Sequence, residues 1–176
     1  VDSFLAAVDR ARVSVPKTTD AAERLAAAEE RARKLEAAPT VKAAEGALED
    51  EDLVVRLRAL AILSAEKPEA LVRRAAGLLA VPSDPVRYAT CEALAKAGDT
   101  SAARALDAVV GDPAGSLNPN VLRMHAVKAL ARCGDADSVA VLAPLADGSQ
   151  FRNALTKEVV TTLGAIAGRE RAARDA

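Results

Sequence analysis

Aromatic side chains are almost missing from this chain, which has one Tyr, two Phe and no Trp in 176 residues. Helices without large rings must pack backbone against backbone, and the residue that fills the gap is alanine, at about a quarter of all positions. Alanine is the best helix former and a poor core filler. Runs of β-branched and aromatic residues alternating with period two, the mark of strands, are absent. The fold class expected is therefore all-α. No run approaches the roughly 18 apolar residues of a membrane span. Cysteine occurs twice, at Cys91 and Cys133, too few for a disulfide framework and at no metal-ligand spacing. Both read as inert core thiols, which suits a reducing compartment and leans toward the cytoplasm. A leader removed before Val1 stays compatible with the sequence.

No charge sign dominates either. The net charge is -1, with 8 Lys+Arg against 12 Asp+Glu over residues 1–52 and 16 against 13 over 53–176. That is far from the basic balance of a dedicated nucleic-acid binder.

Helix punctuation is plain. Residues 2–14 can form one helix, closed by Pro16. Thr19 or Asp20 caps a second, Ala21 to Ala38, with Leu25, Ala28, Ala32 and Leu35 on one stripe and Pro39 as its stop. From residue 41 onward helices come in pairs, and the pairs repeat. Val86 to Asp99 superposes on Leu122 to Asp135 with a shift of 36 residues, matching Arg to Arg, Ala-Leu-Ala to Ala-Leu-Ala and Gly-Asp to Gly-Asp. Weaker copies begin at Val55, 31 residues earlier, and at Leu155, 33 residues later. One leucine recurs as Leu63, Leu94, Leu130 and Leu163, and one arginine as Arg56, Arg87 and Arg123.

Each part of the unit has a physical task. Asp84-Pro85 and Asn118-Pro119 open first helices, with a cap residue followed by Pro in the first turn. Val86, Ala89, Ala93, Leu94 and Ala97 make a stripe wide enough to bury on two sides. Gly98 and Gly134 stand where a left-handed residue ends that helix. Asp99 and Asp135 then cap second helices carrying Ala103, Leu106 and Val109, or Val139, Leu142 and Leu145. Small residues at one register (Ser64, Ala95, Ala131, Gly164) would let neighbouring helices approach closely.

Such a unit cannot bury its own apolar face and must stack on its neighbours. The Asp-Pro-Val-Arg of residues 84–87, followed by Ala-Leu and Gly-Asp, resembles HEAT-like repeats, particularly the short Ala-rich bacterial kind also found in phycobilisome lyases. The resemblance covers residues 48–172. It implies an α-solenoid, a right-handed-type stack of about four helical pairs over 48–176, preceded by capping or flanking helices over 1–47. The last unit has Thr156 in place of the arginine and is expected to cap the stack.

Catalysis has little to stand on. His125 is the only histidine, and its register holds Arg58, Ala89 and Glu158 in the other units, the profile of a solvent-facing flank. The His-Glu pairs of metal-dependent HEAT-repeat hydroxylases are lacking, as is any glycine-rich phosphate loop. The acidic run Glu49 to Asp52 could hold a hard cation, but it lacks the spacing of a calcium loop and precedes a helix, whose N-terminus favours negative charge. No cofactor, metal site or catalytic residue is expected.

The arginine ladder of Arg56, Arg87 and Arg123 could follow a phosphate backbone, or pair with loop acids, or simply keep the outer face wet. HEAT-like DNA glycosylases stack bases on aromatics, of which this chain has one Tyr and two Phe and no Trp, so structure outweighs nucleic acid. Second helices line the concave, binding face of such stacks. Register aligns Arg73, Arg104 and Ala140 along it, with Arg74 and Asp107 beside them, as candidate partner-binding residues. An ordinary hydrated surface explains them equally well. The long loop Gly111 to Leu117 either decorates an interaction edge or is flexible filler. The expected function is non-catalytic protein binding or assembly. Two rivals remain: an accessory subunit of a bilin lyase, and a nucleic-acid-binding module.

Overall fold

The computed structural model describes residues 19–146 and 154–175, so the expected helix over residues 2–14 lies outside the described residues. Among them there is no strand. The helices are α1 (Thr19–Ala37), α2 (Val41–Ala47), α3 (Leu53–Glu66), α4 (Pro68–Ala80), α5 (Asp84–Ala97), α6 (Ala103–Gly111), α7 (Pro119–Cys133), α8 (Ala136–Ala146) and α9 (Ala154–Asp175), with a 3₁₀ turn at Thr100–Ala102. The all-α expectation holds. None of these helices is long and apolar enough to cross a membrane.

Contacts divide the chain into residues 1–71 and 72–176, a boundary inside α4. In the first unit, α1 and α2 both pack on α3. The stripe of α1 is buried as its spacing requires, at Ala28, Ala32 and Leu35, while Leu25 is half-buried. On α3, Val54, Val55, Leu57, Ala59, Leu60 and Leu63 are all buried, covering more than one side of the helix. The acidic run is tied inside this unit. Arg31 on α1 reaches across with a fork, Nε donating to Asp50 Oδ2 at 3.1 Å and Nη2 to Asp50 Oδ1 at 3.0 Å and Asp52 Oδ2 at 2.5 Å. Asp50 Oδ1 also accepts the Asp52 amide at 2.9 Å. Partial burial pushes the Asp50 pKa up, but the Arg31 fork and the Asp52 amide outweigh it and hold it below the usual carboxylate range.

In the second unit, α5 packs on α7, α7 on α6 and α9, and α8 on α6 and α9. One apolar cluster fills the spaces between them, with Leu94, Leu106, Leu130 and Leu142 fully buried. Each such leucine contributes about 1.5–3 kcal/mol relative to an exposed one. Leu94 and Leu130 take the core position that their register assigns, and Leu163 packs on the edge of the cluster. Cys91 and Cys133 are buried thiols. Desolvation pushes Cys91 up to about 12 and Cys133 to about 11, so neither ionises near neutral pH.

Several local expectations are corrected. Asn118 stands at the cap of α7 as expected but makes no side-chain cap bond; in α5 Ser83 takes the cap position and Asp84 is the first helical residue, while the Pro in the first turn matches the reading in both helices. Gly98 is left-handed, at φ 65° and ψ 15°. Gly134 is not, at φ -66° and ψ 151°. Glycine is needed there for space, because a Cβ would lie 2.6 Å from the Leu130 carbonyl oxygen and 2.9 Å from Ile166 Cδ1 on α9. At Gly164 the opposite holds: a Cβ would meet nothing within 4 Å, so that small residue serves no close helix approach. Of the expected second-helix caps, Asp135 serves α8 directly, whereas Asp99 caps the 3₁₀ turn ahead of α6, which has Ala102 at its own N-cap and no side-chain cap bond. Asp99 Oδ1 accepts the Ser101 amide at 2.9 Å, and Asp135 Oδ1 those of Asp137 and Ser138 at 3.0 and 3.1 Å. Val139, expected in the core stripe of α8, is 38% exposed instead.

Candidate functional site

The ladder arginines of the second unit turn inward. Arg123 on α7 donates from Nε to the Val110 carbonyl at 3.0 Å and from Nη2 toward Gly111 at 3.5 Å, at the C-terminus of α6. The last carbonyls of a helix have no intrahelical partner and carry partial negative charge, so a cation there is stabilising. Arg87 on α5 is only 7% exposed, which overturns the reading of it as a wetting residue on an outer face. Its Nη1 donates to the Ala114 carbonyl at 3.0 Å and lies 3.9 Å from Asp84 Oδ1, an ion pair too long for a hydrogen bond. Its Nε is buried with no hydrogen-bond partner. A buried donor left unpaired costs about 1–3 kcal/mol. Arg56, in the first unit, is half-buried.

The loop after α6 is built rather than slack. Asp84 Oδ2 accepts Ser116 Oγ at 2.9 Å and the Leu117 amide at 3.0 Å. Ser116 Oγ in turn accepts the Asn118 amide at 3.1 Å. Gly115 takes φ 70°, a conformation that favours glycine, and Pro113 is buried. The Asp84 carboxylate that local reading assigns to a helix cap thus clamps a loop 32 residues away.

Between α4 and α6 this arrangement leaves a groove of about 520 Å³. Its walls are Ala76, Leu79 and Ala80 from α4 and Ala105, Ala108 and Val109 from α6. Pro82, Arg87, Asp112, Ala114 and Gly115 complete its lining. The lining is mostly apolar with few polar groups, and the depression is shallow and open rather than enclosed.

Arg73 and Arg104, both exposed, sit one helical turn N-terminal to Ala76 and Ala108 and so share the groove-facing sides of α4 and α6. Arg74 is also exposed. Asp107 is placed differently: half-buried, it turns toward α8, where its Oδ2 accepts Ser138 Oγ at 3.0 Å. Burial raises its pKa first, and the nearby Asp135 and Asp137 carboxylates raise it further against the Ser138 hydrogen bond. His125 is not a simple flank. Its ring stacks on Tyr88 with centroids 4.7 Å apart and 15° between planes, and Nδ1 lies 3.8 Å from Glu92 Oε1.

One polar device escapes sequence reading altogether. Arg169 on α9 reaches the end of α7, donating to the carbonyls of Ala131, of Gly134 at 2.7 Å and of Leu130 at 3.5 Å. Nothing in the repeat register marks it. Among the described residues no three His, Cys, Asp or Glu side chains are grouped to hold a metal ion. No family model matches this chain, and no curated protein or solved structure is significantly similar to it.

Proposed function

We propose that this chain is a HEAT-like α-solenoid module that works by non-catalytic protein binding, with its second helices as the working surface. The reading rests on the repeated sequence unit and on one observation above all: the alanine-walled groove between α4 and α6, with Arg73 and Arg104 on its flanks. Alanine walls let a partner's backbone or side chains come close to both helices. Arginine suits the rim because its planar fork matches carboxylates and its stem covers apolar surface.

The test is affinity capture with mass spectrometry, comparing the wild type with Arg73→Glu combined with Arg104→Glu. Both positions are exposed, so circular dichroism and melting should stay unchanged while partner recovery falls. Reversal of Lys128 and Arg132, exposed on α7, is the control. Loss of partner in the control but not in the groove variant would move the working surface elsewhere and end this reading.

A further inference from the structure

We propose that the open side of α9 joins two copies of this chain, as an antiparallel pair of α9 helices about a twofold axis between Leu163 and Gly164. This face is not that of the second helices, and the proposal does not rest on the protein-binding reading above. The first observation is a register that is buried everywhere but here. Leu60, Cys91 and Val127 hold one position in successive repeat units and are each 0% exposed, whereas Val160, at the same position on α9, is 56% exposed. One unit earlier shows why. The Val127 side of α7 lies against α9, where Thr162 Oγ1 donates to the Val127 carbonyl at 3.1 Å and Ile166 stands over Gly134. Val160 and Ala167 are the α9 counterparts of Val127 and Gly134, so they lie on the side that a following first helix would cover. A helix that ends a stack against water should be polar on that side. This one is not. Val160, Gly164 and Ala167 are exposed, Leu163 is half-buried, and Ala167 borders a shallow depression with Ile166 and the 38% exposed Val139 of α8.

The second observation is that this side complements itself. Lys157, Val160, Gly164, Ala167 and Arg171 recur at alternating helical intervals and form one stripe along α9, with Leu163 and Glu170 on its flank. About an axis between Leu163 and Gly164, antiparallel helices set Leu163 opposite Gly164, Val160 opposite Ala167 and Lys157 opposite Glu170, each pair occurring twice. Large thus meets small. Gly164 leaves open space where a Cβ would lie, with nothing within 4 Å, and the partner's Val160 comes onto the depression beside Ala167. Charge selects the direction. Parallel helices would set Lys157 on Lys157 and Arg171 on Arg171, whereas the antiparallel pair sets Lys157 against Glu170 and Arg171 against Thr156. A foreign helix would have to supply this same spacing of small, large and charged residues, and a second copy carries it already. The stripe from Lys157 to Arg171 runs about 21 Å, so the pairing expected is a weak one that forms at raised concentration.

Sedimentation velocity of the wild type from micromolar to sub-millimolar concentration should show a monomer–dimer equilibrium. Val160→Asp, at an exposed position, should abolish it, with circular dichroism and melting at low concentration unchanged. Lys157→Glu and Glu170→Lys each replace two attractive pairs with two repulsive ones and should weaken the dimer about tenfold or more. Combined in one chain they restore opposite charges across the axis and should return the dimer to within about threefold of the wild type. Damage to the monomer fold could not give that rescue. A monomer at every concentration, a dimer untouched by Val160→Asp, or a double variant no better than the single ones would each overturn the proposal. So would a dimer that Arg73→Glu with Arg104→Glu dissolves, because its contact would then lie on the second helices.

Discussion

Replacing Gly134 with alanine sets a new Cβ 2.6 Å from the Leu130 carbonyl oxygen and 2.9 Å from Ile166 Cδ1. The first contact is with backbone that is already committed, since that oxygen accepts the Gly134 amide at 2.7 Å. The second is with the tip of a fully buried side chain in the core of the second unit. Overpacking of this kind costs about 1–3 kcal/mol. Gly98 occupies the matching place in the preceding repeat, yet a Cβ there would meet nothing within 4 Å, and its φ of 65° is the only obstacle. A left-handed alanine costs about 1–2 kcal/mol. Two substitutions of similar magnitude therefore have different causes, and a double-mutant cycle separates them. Urea unfolding of Gly134→Ala, Gly98→Ala and each combined with Ile166→Val gives the couplings. Shortening Ile166 should return part of the loss at Gly134, not all of it, because the clash with Leu130 remains; it should return nothing at Gly98. A Gly134→Ala variant as stable as the wild type, or equal coupling of Ile166 to both glycines, would refute the reasoning.

Leu94→Ala and Leu130→Ala should each cost about 2–5 kcal/mol in urea unfolding, and losses below about 1 kcal/mol at both would mean that the repeat register is wrong. Asp107→Asn should raise the melting temperature near pH 7, since the folded-state pKa is raised and the charged form is the disfavoured one. That gain should vanish at acid pH, where Asp107 is protonated in both folded and unfolded chains. Asp50 has the reverse sign: its lowered pKa makes the Arg31 fork stabilising at neutral pH, with that contribution lost as pH falls below the ordinary carboxylate value toward the folded one. Arg31→Met should accordingly lower stability at pH 7 and leave it little changed near pH 2. Native Cys91 and Cys133 should react with a thiol reagent at pH 8 only as fast as the protein opens, and prompt labelling would contradict their burial.

What could be read from the sequence is what depends on neighbours along the chain. Helix starts at Pro85 and Pro119, the left-handed end at Gly98, the caps at Asp99 and Asp135 and the buried leucines Leu94 and Leu130 all follow from local spacing. What could not be read depends on which distant group arrives. Asp84 has the look of a cap, yet Ser116 and Leu117 come to it from 32 and 33 residues away and take the oxygen that a cap would use. Gly134 has the look of a left-handed stop, yet it is required for space, against the Leu130 carbonyl nearby in the chain and against Ile166, which arrives from α9. In the candidate site, the exposure of Arg73 and Arg104 follows from helical register, whereas the inward course of Arg87 depends on the loop that buries it. Asp107 shares a helix with Arg104 but faces α8, a difference of flank that a register drawn from small residues does not resolve.

The arginines bring these two levels together. In a chain so rich in alanine, few side chains can satisfy the free carbonyls at helix ends, and tight packing leaves little room for water to do so. Arg123 serves the end of α6 from the next helix, and Arg169 serves the end of α7 from the helix after next. Each spends its donors on carbonyls and so is retained for the fold. Arg87 begins in the same way, with Nη1 on the Ala114 carbonyl, but the loop it holds has no second acceptor at Nε. The Nε of Arg56 in the first unit is likewise buried without a partner, so the same register leaves this donor unpaired in two of its three copies. At Arg123 the Val110 carbonyl, freed by the end of α6, takes the Nε that the other two leave unpaired, so what separates the three positions is whether a helix end arrives at that donor.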